Sequence, residues 1–339
     1  MPQLTRLASF NARRMWSREG LPHDGFHGLA SFLSNANVQA ACVQEVHAPD
    51  EPQLPTGQPF VYDGPTGSNG RDAGFLVLNR IVDSGRWSSI PDVPDSRDVS
   101  WRLLSHGPGL ERTAVCSIYA PHPGYDEPTR LAFWSRFGAS LRAVRLSMPG
   151  VDVLVLGDAN LWWPGLVNGR GPRSSDLPCI AHISFLLHEH GLVLASPNGC
   201  ATHSAGAALD LVFASAGLVH AVEVHNGDAA ACACPDRSSC CPLLGSDHFA
   251  VTVTLTKQTA QSRSTPKFKW PHVKDWEALL TSCSDELADW SSLTAACAPD
   301  LALLPTPLRR AALDVLYAEL CTIIWSVAGP SRRQTSLKQ

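Results

Sequence analysis

The sequence contains a series of short apolar segments, rich in β-branched residues, and this feature constrains the fold most. Each segment is bounded by polar residues, glycine or proline. Their length suits a β-strand and is too short for an ordinary helix. The segments are Leu7–Phe10, Ala40–Val43, Gly74–Leu78, Ala114–Tyr119, Val151–Leu156, Leu209–Phe213 and Phe249–Leu255. The chain is therefore predicted to be organised around β-sheets.

Helical patterns lie between only some of the predicted strands. The clearest is Glu127–Ser147, where apolar residues recur at helical spacing on one face. Phe26–Asn35 and Leu177–Glu189 show weaker patterns. Many strands with few, irregularly placed helices favour two packed, mainly antiparallel sheets flanked by helices over a strictly alternating parallel sheet. The predicted fold class is a layered α/β sandwich.

The pattern changes after the last predicted strand. The stretch Thr256–Pro266 is polar and has no periodicity. Further on, Thr306-Pro307 precedes an apolar helical pattern that ends at Gly329-Pro330, which is the usual order of N-cap, first-turn proline and stop. We therefore expect one domain at residues 4–256, followed by a polar linker and a helical C-terminal segment at residues 257–339.

The sequence gives no sign of a membrane or secreted protein. No apolar run approaches the roughly 18–20 residues of a membrane helix, and the N-terminus lacks the layout of a secretory signal. We expect an intracellular protein, nuclear or cytoplasmic, with no membrane partner. Residues 1–18 contain no acidic residue, as in a transit peptide, but Arg6–Asn11 also fits a strand that leads into a site motif, and we favour the strand.

The charge distribution makes any binding of phosphate local. The formal net charge is −4, so the chain has no overall field that attracts nucleic acid. Every lysine lies at or beyond Lys257, and the earlier basic residues are all arginines, which suit bidentate phosphate contacts. Coding bias towards arginine explains the same pattern. The local candidates are Arg13, Arg71 and Arg170.

Polar residues suited to catalysis lie at the ends of apolar, strand-like runs in five places. These residues are Asn11, Glu45, Tyr119, Asp158 with Asn160, and the pair Asp247-His248. A strand end holds a polar group rigidly at the rim of a sheet. Hydrolysis of a phosphodiester needs a hard cation, a water near a base, and groups that hold the phosphate oxygens. Singly, an Asp or Glu at a strand end is more often a turn or cap residue than a ligand. The order of the residues along the chain is what favours a catalytic site.

Six motifs match one superfamily in sequence order: Ser9-Phe10-Asn11, Gln44-Glu45, Ile118-Tyr119-Ala120-Pro121, Leu156-Gly157-Asp158-Ala159-Asn160, Leu209-Asp210 and Gly245-Ser246-Asp247-His248. In these motifs the chain resembles the endonuclease/exonuclease/phosphatase superfamily, over roughly residues 4–256. The resemblance implies the sandwich fold and metal-dependent hydrolysis of a phosphoester.

The resemblance also implies a metal site and a position for the attacking water. Glu45 would be the principal metal ligand, helped by Asn11 and Asp247. One or two carboxylates suffice for Mg²⁺, which keeps several waters and binds substrate phosphate. We therefore expect Mg²⁺, with Mn²⁺ as a substitute. Asp158 would position or deprotonate the water.

The remaining implied roles concern the phosphate. Asn160 and Tyr119 would contact the scissile phosphate, and His248, oriented by Asp210, would bind or protonate a phosphate oxygen. An aspartate partner stabilises imidazolium, which agrees with a role near a dianionic transition state. Two residues are candidates for support of the site: Thr202, for Asn160 or the phosphate, and Ser246.

Some residues of the chain differ from the motifs of individual branches of the superfamily, and these differences indicate which branch the chain resembles most. Abasic-site endonucleases usually carry an acidic residue after the first motif and Trp-Arg before the later aspartate, where this chain has Ala12-Arg13 and Ala207-Ala208. The Cys-Asp-Arg motif of inositol-polyphosphate phosphatases is also missing. Leu209–Phe213, followed by Gly-Ser-Asp-His-Phe, resembles the endonucleases of non-LTR (LINE-type) retrotransposons. Lys267–Trp270 and Trp276 resemble the connector that precedes a reverse transcriptase.

The resulting hypothesis is an endonuclease that nicks DNA to leave a 3′ hydroxyl, contacts the phosphate backbone, and belongs with a reverse transcriptase domain in a longer parent protein. One alternative is a phosphatase or phospholipid phosphodiesterase on the same fold. Another is an inactive remnant that only binds nucleic acid. The remnant hypothesis predicts lost site residues, whereas every principal motif is present.

Two further features allow two interpretations each. Cys232, Cys234, Cys240 and Cys241 offer four soft ligands for structural Zn²⁺, but they lack the C-x2–4-C pairs of common zinc modules, so free thiols are favoured. Trp162-Trp163 suits either stacking on bases or covering a sheet edge.

Overall fold

The computed structural model describes residues 5–13, 15–16, 24–50, 52, 54, 57–67, 72–93, 95–106, 111–163, 166, 172–225 and 246–255. In chain order the strands in this part are β1 (Arg6–Asn11), β2 (Ala40–Gln44), β3 (Phe60–Asp63), β4 (Ala73–Leu78), β5 (Trp87–Ser89), β6 (Val99–Ser105), β7 (Arg112–Tyr119), β8 (Asp152–Asp158), β9 (Leu192–Leu194), β10 (Asp210–Ser215), β11 (Val219–His225) and β12 (Ala250–Leu255). The helices are α1 (Asp24–Asn35), α2 (Asn79–Asp83), α3 (Glu127–Ser147) and α4 (Leu177–Glu189).

The described strands form two sheets with the same plan. The first has the order β11-β12-β1-β2-β4-β3, and the second has the order β5-β6-β7-β8-β10-β9. In each sheet the two central strands, β1 with β2 and β7 with β8, are parallel. All other neighbours are antiparallel. The predicted sandwich of two mainly antiparallel sheets is therefore confirmed.

Alternation along the strands creates three apolar layers. Leu7 in β1 and Leu154 in β8 belong to one cluster that both sheets share, so it lies between them. The next residue along β1, Ala8, packs with α1 on the outer face of the first sheet. Val153 of β8 packs with α3 and α4 on the outer face of the second. Burying one such leucine contributes about 1.5–3 kcal/mol.

The same alternation aims the polar strand ends into the space between the sheets. Side chains two residues apart share a face, so Asn11 lies on the side of Leu7, and Asp158 lies on the side of Leu154. In the second sheet Tyr119 and Asp210 are both registered opposite Asp158. The core-forming pattern thus also places these polar groups along one edge.

The helices lie where the sequence pattern places them. Both α3 and α4 have the predicted bounds, and α1 begins at Asp24, before the predicted Phe26. The α3 N-terminus is capped by Asp126, whose side chain accepts a hydrogen bond from Thr129 N at 2.9 Å. The strand interpretation of Arg6–Asn11 is confirmed.

Several predictions fall outside the described residues. They are the linker and helix at 257–339, the four-cysteine cluster, Arg71 and Arg170. Among the described helices, none has the length and apolar character needed to cross a membrane.

Candidate active site

One corner of the site is built around Glu45, which directly follows β2. Its Oε1 accepts hydrogen bonds from Asn11 Nδ2 at 3.0 Å and from the Tyr119 hydroxyl at 2.8 Å. Asn11 is fully buried and also donates to Asp158 Oδ2 at 3.1 Å. Asn11 therefore joins a carboxylate of the first sheet to a carboxylate of the second.

The Asn11 amide has a defined orientation. Its Oδ1 accepts a hydrogen bond from Arg13 N at 3.1 Å, which leaves Nδ2 facing the two carboxylates. In this arrangement Asn11 orients Glu45 and Asp158 as a donor. The role of Asn11 as a metal ligand stays a prediction. To bind a metal through Oδ1, Asn11 would have to give up the hydrogen bond that Oδ1 accepts from Arg13 N.

The second corner contains His248 between two aspartates. His248 Nδ1 lies 2.9 Å from Asp210 Oδ2, and Nε2 lies 3.7 Å from Asp158 Oδ2. Burial lowers the pKa of His248, but the charge and hydrogen bond of Asp210 outweigh burial and raise the pKa well above its ordinary value. His248 is therefore an imidazolium at neutral pH.

Asp158 has the opposite environment for a carboxylate. Burial raises its pKa above the ordinary range; the charge of His248 lowers the pKa, and that of Asp210 raises it further. Only 1% of Asp158 is exposed. A carboxylate with a raised pKa is a stronger base, which suits the predicted role in activating water.

Ser246 and Thr202 hold the histidine and its partner in place. Ser246 Oγ donates to Asn11 O at 2.7 Å and accepts from His248 N at 3.1 Å, which ties the end of β1 to the segment before β12. Thr202 Oγ1 accepts from the backbone N–H groups of Leu209 and Asp210, both at 2.9 Å. Thr202 therefore supports Asp210.

The backbone around Asp158 has demanding geometry. Asn160 and Glu45 both have φ of 52°, a left-handed conformation that is uncommon outside glycine and is often found at functional sites. Asn160 N donates to Asp158 Oδ1 at 2.9 Å, and Asn160 Nδ2 donates to Ala120 O at 2.8 Å. Gly157 has φ of 148°, and a Cβ there would lie 2.9 Å from Ile118 N and nearer still to its carbonyl oxygen.

His203 is a site residue that the sequence analysis missed. It pairs with His248 in an isolated β-bridge, and the two rings are perpendicular with centroids 4.8 Å apart. Its Nδ1 accepts a hydrogen bond from Ala205 N at 3.0 Å, so the neutral ring carries its proton on Nε2. That atom lies 3.3 Å from Asp247 Oδ2.

Asp247 is held from both sides. Besides His203, the Arg13 Nε atom lies 3.4 Å from its Oδ1. Neither contact is specified by a sequence motif. His203 is brought close to Asp247 by its isolated β-bridge with His248, just ahead of β12. The only sequence signal was its position next to Thr202.

The two adjacent tryptophans have different surroundings. The Trp163 ring lies 5.7 Å from the Phe213 ring and packs against the core of the second sheet. Trp163 therefore fits the sheet-covering interpretation. Trp162 lies under the guanidinium of Arg173, at 5.1 Å from Cζ to the ring centroid.

The model of the Endonuclease/Exonuclease/phosphatase family matches residues 8–248, an interval that contains all six motifs. The chain belongs to this family. Family membership indicates a phosphodiester hydrolase in general terms. No curated protein matches the chain.

Solved structures of nucleases share the family fold. The endonuclease domain of TRAS1, a telomere-specific non-LTR retrotransposon, is 14% identical with a TM-score of 0.53 over 76% of this chain and 100% of its own. The abasic-site (AP) endonuclease LMAP of Leishmania major is 14% identical with a TM-score of 0.55 over 76% of this chain and 89% of its own. The Xenopus laevis APE2 catalytic domain is 14% identical with a TM-score of 0.51 over 74% and 91%.

The donor set of this family member fits a hard divalent cation. Glu45, Asp158, Asp210 and Asp247 bring four carboxylates to one edge, and buried Asp210 Oδ1 has no hydrogen-bond partner among the described residues. Such an excess of oxygen donors and negative charge suits Mg²⁺. His203 does not fit as a ligand, because its Nε2 carries the ring proton.

Proposed function

We propose that this protein is a magnesium-dependent endonuclease that nicks one strand of DNA and leaves a 3′ hydroxyl. One observation carries the proposal: Asn11 joins the Glu45–Tyr119 corner to the Asp158–His248 corner by two hydrogen bonds of 3.0 and 3.1 Å. The residues proposed as cation ligand, base and imidazolium therefore lie around one space, which supports a role in cleaving a phosphodiester.

Asp158 acts on the attacking water. Asn160 N holds its Oδ1 and Asn11 holds its Oδ2, so the carboxylate has one fixed orientation. Its raised pKa favours removal of a proton from water as the oxygen attacks phosphorus. The bond from phosphorus to the 3′ oxygen breaks, which leaves a 5′ phosphate and a 3′ oxyanion, and the oxyanion takes a proton from solvent water to become the 3′ hydroxyl.

His248 stabilises the phosphate in this reaction. Its positive charge, maintained by Asp210, offsets the charge that develops on a non-bridging oxygen. Tyr119 and Asn160 are proposed to contact the same phosphate. Glu45 would hold Mg²⁺, with Asp247 and Asn11 as further ligands; the bound cation would neutralise phosphate charge, and Mn²⁺ would replace it.

DNA is the proposed substrate because the motifs resemble LINE-type endonucleases and the fold is shared with the TRAS1 endonuclease domain. Origin in a retrotransposon, and a reverse transcriptase domain in the parent protein, are parts of the same proposal. The proposed catalytic unit ends with β12, so residues 1–258 should retain activity.

The test compares supercoiled plasmid, an abasic oligonucleotide, an inositol phosphate and sphingomyelin, each with Mg²⁺ or with chelator. A single site cuts one strand per encounter, so nicked circle should accumulate before linear DNA. A polymerase should extend the nick without prior end repair. Hydrolysis of the inositol phosphate or of sphingomyelin, with no cleavage of either DNA, would instead place the protein among the phosphatases or the phospholipid phosphodiesterases of this fold, respectively.

A further inference from the structure

A second cluster of charged residues lies beside Asn160, outside the six motifs. Its centre is Asp176, which is fully buried. Asp176 accepts hydrogen bonds from Arg130 Nη2 at 2.6 Å, from Arg173 Nε at 2.8 Å and from the backbone N–H of Trp162 at 3.1 Å. Two arginines share one aspartate, so the cluster carries an excess positive charge.

The cluster fixes Arg173 next to the proposed phosphate site. While Nε binds Asp176, Nη2 donates to Asn160 O at 3.2 Å, and the guanidinium lies over the Trp162 ring. Arg130 in this network is also buried, at 2% exposure. A buried ion pair contributes little net stability, because the cost of desolvation offsets the attraction between the charges. The main effect of the buried Arg130–Asp176 pair is therefore to fix the geometry of Trp162 and Arg173.

The charge of the surroundings indicates what such a pair binds. Four carboxylates lie at the site, and a polyanionic substrate therefore needs positive charge close by. Arg173 supplies it with a side chain that is 33% exposed, beside the half-buried Trp162. A guanidinium matches a phosphate, and an indole face matches a base. The two together match one nucleotide.

We propose that Trp162 and Arg173 form a binding subsite for the nucleotide next to the cut. The indole stacks on its base, and the guanidinium contacts its phosphate. Asp176 and Arg130 hold the subsite in position from the protein interior. This inference rests on the proposed DNA-nicking function, and it assigns a substrate contact to Trp162, whose ring lies under Arg173.

The test compares Trp162→Ala, Trp162→Phe and Arg173→Gln with a matched control, Arg142→Gln. Arg142 is exposed and pairs with Glu189 on α4. Activity is measured on duplex DNA and on bis(p-nitrophenyl) phosphate, a diester without a base. We expect Trp162→Ala to lower the ratio of kcat/KM values, DNA over small diester, by at least about fivefold. Trp162→Phe should restore most of it.

Arg173→Gln should lower the same ratio of kcat/KM values. It should also make the plot of log DNA affinity against log salt concentration less steep by about one unit, which is the loss of one phosphate contact. The Arg142→Gln control should match the wild type. Unchanged ratios in Trp162→Ala and Arg173→Gln, or equal losses on both substrates, would overturn the subsite and leave the pair a structural support of Asn160.

A separate measurement distinguishes failure of the subsite from failure of the proposed function. If the wild type hydrolyses the small diester but cuts no DNA, the nicking function fails. Binding of a fluorescent duplex then still tests the subsite by anisotropy. Weaker binding by Trp162→Ala than by wild type would support it. Equal binding, or no binding by either protein, would overturn it.

Discussion

Replacing Gly157 by alanine tests whether the contact between β7 and β8 sets the geometry of the active site. Gly157 and Ile118 are partners in the parallel register, and each directly precedes a site residue, Asp158 and Tyr119 respectively. A Cβ at Gly157 would lie 2.9 Å from Ile118 N, closer to its carbonyl oxygen, and on a backbone with φ of 148°. Both contacts and the dihedral angle oppose any side chain at this position.

The strands must therefore separate by on the order of 1 Å, a displacement that costs roughly 100-fold in rate when it misplaces catalytic groups. We expect Gly157→Ala to lower kcat/KM for plasmid nicking by about 100-fold. The strain should also lower the free energy of unfolding by about 2–4 kcal/mol.

Gly150→Ala is the matched control, because Gly150 also has positive φ, 76°, but no atom of the described part of the chain lies within 4 Å of its added Cβ. It should lose some stability and keep its activity. Initial nicking rates and urea unfolding curves are measured for both variants. Activity of Gly157→Ala within about threefold of wild type would refute the argument that this glycine is required by the Ile118 contact.

Three further predictions concern buried or half-buried polar groups. Asp210→Asn removes the negative charge beside His248 and should lower kcat for nicking at least about 100-fold, while circular dichroism shows an intact fold. A loss below tenfold would contradict the role assigned to Asp210. His203→Ala removes the donor that holds Asp247 and should raise the Mg²⁺ concentration needed for half-maximal activity about tenfold, whereas His203→Gln keeps an N–H donor and should need about the wild-type concentration. Equal effects of the two variants would count against a role for the His203–Asp247 contact. Burial raises the pKa of Asp72 to about 6, so ionisation of Asp72 lowers the free energy of unfolding as pH rises from about 4 to 6. In urea unfolding, Asp72→Asn should raise the free energy of unfolding by about 1–2 kcal/mol at pH 7 and leave it unchanged near pH 4, and the exposed control Asp92→Asn should show no such pH-dependent gain.

The sequence predicted the central strands well because their apolar runs are continuous. Five strands were missed: Phe60–Asp63, Trp87–Ser89, Val99–Ser105, Leu192–Leu194 and Val219–His225. Two of them have only three residues, too few for a periodicity. β6 contains Arg102, which reads as a surface residue but is buried by its bonds to Asp63 and Asp95, both 2.6 Å. Ion pairs between distant residues have no local signal.

The site was predictable where a motif directly follows a strand. Side-chain alternation then fixes the direction of residues such as Asn11 and Asp158. His203 and Asp176 were not predictable, because each reaches the site through a long-range contact: the bridge to His248 and the bond to Trp162 N. The orientation of the Asn11 amide depends on Arg13 N, which a motif does not specify.

The most direct test of the account is magnesium-dependent plasmid nicking by Glu45→Gln. Glutamine keeps the shape of the side chain and an oxygen for Tyr119 and Asn11, but removes the charge that a hard cation requires. Glu189→Gln, which changes a glutamate paired with Arg142, is the control. We expect wild type and control to nick supercoiled DNA with Mg²⁺ and to stop with chelator, whereas Glu45→Gln should be at least about 100-fold slower at every Mg²⁺ concentration. Nicking by Glu45→Gln at the wild-type rate, with the wild-type dependence on Mg²⁺, would contradict this expectation.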